Sequence, residues 1–332
     1  MELRRLYFLL LLIISITHED LIARSMLLRQ RRPNQQKPQK KAIQSVTVEL
    51  DLSYDFSIPG ETFRINFVVV MPETIPDRQK ILGIKYSPKP SRIFNKNGNR
   101  YAEFVFIKPD RQKKVEINIK AELLRYDLYT AREKSGFDTY EDTGFRDFLQ
   151  NEKYIEKDHA EIREIAESIE GQTQIDIVKN IYNYVIDNME YTSHNGKDWG
   201  AVKALQWKKG DCTEYSDLFV ALCRAKDIPA RFAAGYTVRF DDISPKHNWV
   251  EVFLQDYGWV PFDPSWGDMK NFILRDMAFS RMRPVYLYLT NIRNDEVINN
   301  YQFAGYTFWG DRARVKDSIE IKRISPTFPK TH

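Results

Sequence analysis

Apolar and polar residues alternate along residues 46–56, again along 63–69, and once more along 115–123. In an extended chain, that period puts one apolar face against a core. Turn signals separate the runs: Ile58-Pro59-Gly60, and the strong hairpin pair Asn97-Gly98. Short alternating strands with such punctuation predict a small β-sandwich over residues 45–126. Past Asn151 the period changes. Ile162, Ile165, Ala166 and Ile169 recur every three or four residues, with Asp158 and Glu161 spaced as a capping box. A second helix is expected to start near Thr173 and to bury Ile177, Val178, Ile181, Tyr182, Val185 and Met189. A third follows Asp211: Tyr215, Leu218, Phe219, Leu222 and Cys223 form its stripe, Glu214 completes the box, and Pro229 closes it. Residues 191–209, between these helices, read as a loop. Three strand-like runs come next, at 231–238, 247–254 and 258–264. Apolar runs at 285–289, 301–309 and 319–324 read as further strands extending the same sheet. The expected fold is α+β: helices packed on an antiparallel sheet over residues 127–332, preceded by the sandwich.

Composition changes this picture at the N-terminus. Arg4 and Arg5 precede an apolar run at 6–16. That run is too short to span a bilayer and matches the length of an export-signal core. Residues 1–17 are therefore read as a signal peptide or N-terminal anchor, and 18–44 as a basic disordered linker. Of the formal charge of +4, seven positive charges lie within 24–41, where there is no acid, leaving −3 for the remainder. The folded part is thus near neutral and mildly acidic. No nucleic-acid partner is expected from it, and the N-terminus suggests export, with peripheral association at the membrane or cell envelope. Oligomeric state is not legible.

Chemistry concentrates between Gly210 and Asp268. Cys212 falls on the first turn of the third helix, where the helix dipole favours a thiolate. His247 begins a strand and shares a face with Trp249, Glu251 and Phe253. A three-residue turn at 255–257 would set Asp263 opposite Trp249, one diagonal step from His247; a four-residue turn would put it on the other face. Of five histidines, only His194 and His247 are plausible bases, and His194 sits in a polar loop where a surface position is the default. The two cysteines lie eleven residues apart on one expected helix. That separation of about 16 Å is too far for a disulfide. Cys223 reads as a small core residue. No spacing fits a zinc site, and no cofactor is expected.

These residues carry a resemblance. GDCTEYSDLFVALCRAKDIPAR, then Gly235-Tyr236, His247-Asn248-Trp249-Val250-Glu251-Val252 and Gly258-Trp259-Val260-Pro261-Phe262-Asp263-Pro264 resemble the core of the transglutaminase-like superfamily, over roughly 175–268. The resemblance implies a papain-like α+β fold and a Cys212-His247-Asp263 triad. His247 would deprotonate Cys212, whose thiolate attacks an amide carbonyl, while Asp263 holds the imidazole tautomer. The Cys212 backbone N–H is one expected oxyanion donor. An aromatic donor serves in some relatives, which makes Trp199 and Trp207 candidates, with packing as their alternative. The expected function is an exported cysteine enzyme acting on protein or peptide amides or isopeptides, hydrolytic in preference. Glutamine–lysine crosslinking and a non-catalytic scaffold on the same fold are the alternatives.

Overall fold

The structure is a computed structural model describing residues 44–58, 60–128, 131, 143–194, 197–238, 245–279 and 281–327. The expected signal and nearly all of the expected linker lie outside the described residues. Among the described residues, no helix is long and apolar enough to cross a membrane.

Six strands come first: β1 (Ser45–Ser57), β2 (Thr62–Met71), β3 (Gln79–Ser87), β4 (Arg92–Lys96), β5 (Asn99–Ile107) and β6 (Gln112–Leu124). Alternation acts as expected: Val48, Leu50, Leu52, Tyr54 and Phe56 of β1 are buried in one cluster with Ile65, Phe67 and Phe104. The β4–β5 hairpin turns on Asn97 and Gly98, whose φ angles of 52° and 81° are what a two-residue primed turn requires. The two sheets of the sandwich are four-stranded; with β15 (Ala304–Gly310) and β16 (Arg314–Thr327), their orders are β16-β1-β6-β3 and β15-β2-β5-β4. β15 and β16 come from the C-terminal end of the chain. The expectation that they extend the core sheet is therefore corrected. β16 pairs with the whole of β1, from Ser45↔Thr327 to Ser57↔Arg314. Without it, β1 would present a long open edge of unpaired N–H and C=O groups. A boundary drawn at residue 127 separates strands that share a sheet.

The helices are α1 (Ala160–Ser168), α2 (Gln174–Asn188), α3 (Ala201–Trp207), α4 (Cys212–Ala225), α5 (Pro264–Gly267) and α6 (Phe272–Phe279). Thr173 and Asp211 cap α2 and α4 with complete capping boxes; the sequence predicts the box at Asp211 and, for α2, a start near Thr173. The cap of α1 differs: His159, not Asp158, is the N-cap, and it makes no side-chain cap bond. α3 and α6 arise in segments the periodicity left without helices, because both are too short for the pattern to show. Helix α4 is buried from Cys212 to Arg224, its polar residues included. It packs against α1, α2, α3 and one face of the core sheet.

That sheet has the order β12-β11-β10-β14 and is antiparallel, from β10 (Ala230–Thr237), β11 (Lys246–Leu254), β12 (Gly258–Phe262) and β14 (Tyr286–Thr290); β7 (Tyr126–Asp127) and β13 (Arg281–Met282) form a separate two-stranded pair. β14 is buried on both faces. Tyr286 and Tyr288 join the helix-side core, while Leu287 and Leu289 join the sandwich core. The Gln79 side chain adds a mimic of strand pairing to it. Its Nε2 donates to the Tyr288 carbonyl at 3.0 Å, and its Oε1 accepts from the Tyr288 N–H at 2.7 Å. Arg78 donates to the Trp259 carbonyl at 2.6 Å. The sandwich is thus fastened to the sheet by buried polar contacts as well as by shared apolar surface.

β10 and β14 meet through a bulge at Ala234/Gly235. A Cβ added to Gly235 would lie 2.0 Å from the Leu287 carbonyl oxygen and 2.8 Å from the Trp249 ring. Backbone cannot yield as a flexible side chain can. Gly235→Ala is therefore expected to cost about 2 kcal/mol or more, at the upper end of overpacking penalties. A urea-unfolding midpoint unchanged from wild type would contradict this close approach.

Candidate active site

Cys212 is the first residue of α4 and is 9% exposed. The Asp211 side chain accepts from the Thr213 N–H at 2.8 Å, and Glu214 Oε2 accepts from the Asp211 N–H at 3.1 Å. These bonds fix the first turn. Gly210, just before the cap, lets the chain pass Glu214, whose Cβ would sit 2.4 Å from any added methyl. Behind the thiol, Arg293 grips Asp217 of α4 through Nε at 2.8 Å and Nη2 at 3.0 Å, and reaches Asp198 at 2.8 Å. The Arg293–Asp217 pair is fully buried, and through the half-buried Asp198 it joins α4 to the segment ahead of α3.

The β11–β12 connection is a three-residue turn, with Leu254 opposite Gly258 and Val250 opposite Phe262. Continuing that register brings Asp263 level with Trp249, on the His247 face. His247 Nε2 lies 2.7 Å from Asp263 Oδ2. Asp263 is also the N-cap of α5, with Pro264 at the first helical position. Its Oδ1 accepts from the Trp266 N–H at 2.9 Å and the Ser265 hydroxyl at 2.8 Å, and its Oδ2 accepts from the Tyr286 hydroxyl at 2.7 Å. Four donors thus hold one buried carboxylate.

With Nε2 committed to Asp263, the second ring nitrogen is left for the Cys212 side chain, which lies within hydrogen-bonding reach of His247. Burial opposes charge on this ring, but the Asp263 carboxylate, and then Cys212, outweigh it and raise the His247 pKa from 6.5 to about 10. Burial likewise opposes charge on Asp263. The His247 ring and the donors from Trp266 and Tyr286 prevail, so its pKa falls below 3.8. At neutral pH the pair is charged on both sides.

The structure brings Cys212, His247 and Asp263 together; Trp199 and Trp207 are placed differently. Trp199 stacks on His194 with centroids 4.2 Å apart, and Trp207 meets Trp199 edge-on at 4.7 Å. His194 itself is not the surface residue its loop suggested. Its Nε2 lies 3.0 Å from Glu214 Oε2, and only 16% of its side chain is exposed. His194, Asp211 and Glu214 offer donors close enough for a metal ion. Both carboxylates, however, already serve the capping box of α4. Cys223 is fully buried in the core, where burial pushes its thiol up. Two side-chain partners of Asp263 escaped the sequence reading. The Asp263-Pro264-Ser265-Trp266 string carries an N-cap signature that could have found Ser265. Tyr286 has no local signal, because it arrives through the β10–β14 pairing.

Residues 163–264 match the sequence profile of the transglutaminase-like superfamily, and this segment of the chain is a transglutaminase-like core. The uncharacterised protein YebA of Bacillus subtilis is 31% identical over 101 residues, which cover 26% of this chain and only 14% of that protein. The crystal structure of a candidate cysteine protease from Cytophaga hutchinsonii is similar across 87% of this chain and 93% of its own, with a TM-score of 0.61 at 16% identity. It shares the fold. The periplasmic domain of TgpA from Pseudomonas aeruginosa aligns over 69% of this chain and 89% of its own at 13% identity, with a TM-score of 0.37.

The sign of the pH dependence follows from the two shifts. The raised His247 pKa contributes stability that is complete below about pH 6.5 and is lost as pH rises through about 10. The lowered Asp263 pKa contributes stability present above 3.8 and lost as pH falls through its depressed value. Proton NMR of the His247 ring should give a midpoint near 10 in wild type. Asp263→Asn should bring that midpoint down by two units or more. A wild-type midpoint near 6.5 would show that the pair is not charged at neutral pH.

Proposed function

We propose that this chain is a cysteine-dependent acyl-transfer enzyme acting on peptide or isopeptide amides, with Cys212 as nucleophile, His247 as its proton partner and Asp263 as the group that orients the ring. The observation that carries this reading is the 2.7 Å His247–Asp263 contact, with the imidazole in reach of a cysteine at the first turn of a capped helix. In the resting site the thiol proton already sits on the charged His247 ring. The sulfur forms a bond to the amide carbonyl carbon. The C–N bond then breaks as His247 returns the proton to the departing nitrogen, leaving a thioacyl enzyme. Water attacks that thioester as His247 accepts a proton from it; the C–S bond then breaks, the carboxylic acid leaves, and the sulfur is restored beside the charged ring. Hydrolysis is preferred over crosslinking because an exported enzyme meets water everywhere, whereas crosslinking requires a dedicated amine acceptor. Export is supported by Arg4, Arg5 and the apolar run at 6–16. The partner is then a protein or peptide in the envelope or beyond it.

The thiol can be tested without a known substrate. Iodoacetamide should label Cys212 rapidly well below the ordinary cysteine pKa of about 8.5, and His247→Ala should abolish that acceleration. Labelling of both proteins at the rate of an ordinary thiol would sink the catalytic reading in favour of a scaffold. With a peptide amide and a labelled primary amine together, the free acid should exceed the amine adduct. The reverse ratio would favour the crosslinking reaction.

A further inference from the structure

Attack of the Cys212 sulfur on a carbonyl leaves negative charge on oxygen, and such sites supply at least two aimed donors. One is the Cys212 backbone N–H, since the first N–H groups of a helix have no intrahelical acceptor. Trp199 packs against His194, and Trp199 and Trp207 pack against each other; among the described residues neither makes a hydrogen bond or ring contact with Cys212 or His247.

A different aromatic residue is held beside the turn that carries the thiol. Strands β8 (Glu190–Tyr191) and β9 (Lys209–Gly210) form a short parallel pair, in which Tyr191 lies opposite Gly210, two positions before Cys212. Backbone bonds on either side lock this register: Glu190 N–H to the Lys208 carbonyl at 2.9 Å, and Thr192 N–H to the Gly210 carbonyl at 2.8 Å. The Tyr191 ring stands 6.1 Å from the Tyr215 ring, one turn along α4 from Cys212, and the residue is 49% exposed. Among the described residues, no hydrogen bond engages its hydroxyl. Partial burial, then the charges of Cys212, Asp211 and Asp263, raise its pKa to about 12. The phenol therefore lies in the field of both the thiol and the orienting carboxylate, and it keeps its proton at neutral pH.

We propose that the Tyr191 hydroxyl is the second oxyanion donor, paired with the Cys212 backbone N–H. As the C–S bond forms, the carbonyl π pair moves onto oxygen, and that oxygen accepts from both groups. When the C=O bond re-forms and the C–N bond breaks, both donors are released unchanged. The assignment rests on the acyl-transfer reading above and names the residue that reading lacks.

Two thiol reagents separate this role from packing against Tyr215. Iodoacetamide reacts by displacement at a saturated carbon and creates no oxyanion. p-Nitrophenyl acetate acylates through one. In Tyr191→Phe, alkylation of Cys212 should stay within about twofold of wild type, while acylation should slow by about 10²-fold, as when a single oxyanion donor is lost. Trp199→Phe should leave acylation within about twofold of wild type. Tyr191→Phe acylating at the wild-type rate would overturn the assignment alone. So would an equal fall in both reactions, which would mark a displaced thiol. Wild-type protein that acylates no faster than His247→Ala would overturn the acyl-transfer reading, and the assignment with it.

Discussion

A fully buried carboxylate sits where three parts of the chain meet. Asp263 directly follows β12, caps α5, faces His247 on β11 and accepts from Tyr286 on β14. An unpartnered charge at that depth would be untenable, and hydrogen bonds to charged groups contribute about 1.5–3 kcal/mol each. The four donors must therefore arrive together. That requirement fixes the β11–β12 register, the start of α5 and the placement of β14. In turn, β14 is held from its other face by the sandwich, through Leu287, Leu289 and the Gln79 side chain. The β-sandwich, which carries no evident reactive cluster, thus acts on the site at second hand: it positions the strand that supplies Tyr286.

The thiol side follows a separate logic. α4 is almost wholly buried, so its polar residues need internal partners, and each one found braces the helix. Glu214 accepts from the Asp211 and Trp199 N–H groups and meets His194. Asp217 pairs with Arg293. Asn248 donates to Thr213 at 2.8 Å, linking the residue after His247 to the residue after Cys212. The two sides of the site are therefore joined directly, and a sub-ångström shift of α4 would be resisted by several buried polar contacts at once. Such preorganisation lets a low-dielectric site hold a charged imidazole next to sulfur.

Much of this was legible in the amino-acid sequence, because it depends on short-range rules. The cap of α4 is an Asp-x-x-Glu string ahead of a helical stripe, and the sequence narrows Asp263 to two placements, of which the three-residue turn between the strands selects the one on the His247 face. The side-chain periods of 3.6 and 2.0 are local properties, so residues within one element or one hairpin declare their faces. Tertiary structure alone decided the rest. β15 and β16 read as generic strands; only the open edges of β1 and β2 determine that they belong to the sandwich. Tyr286 is one of several apolar-run tyrosines until β14 pairs with β10. Trp199 and His194 look like loop residues until the buried Glu214 draws them in. Tyr191 gains its place from a two-residue parallel bridge too short to leave any periodicity. Those contacts join residues distant in the chain, and the need to bury both faces of a strand or to partner a buried charge is met only once the whole fold has closed.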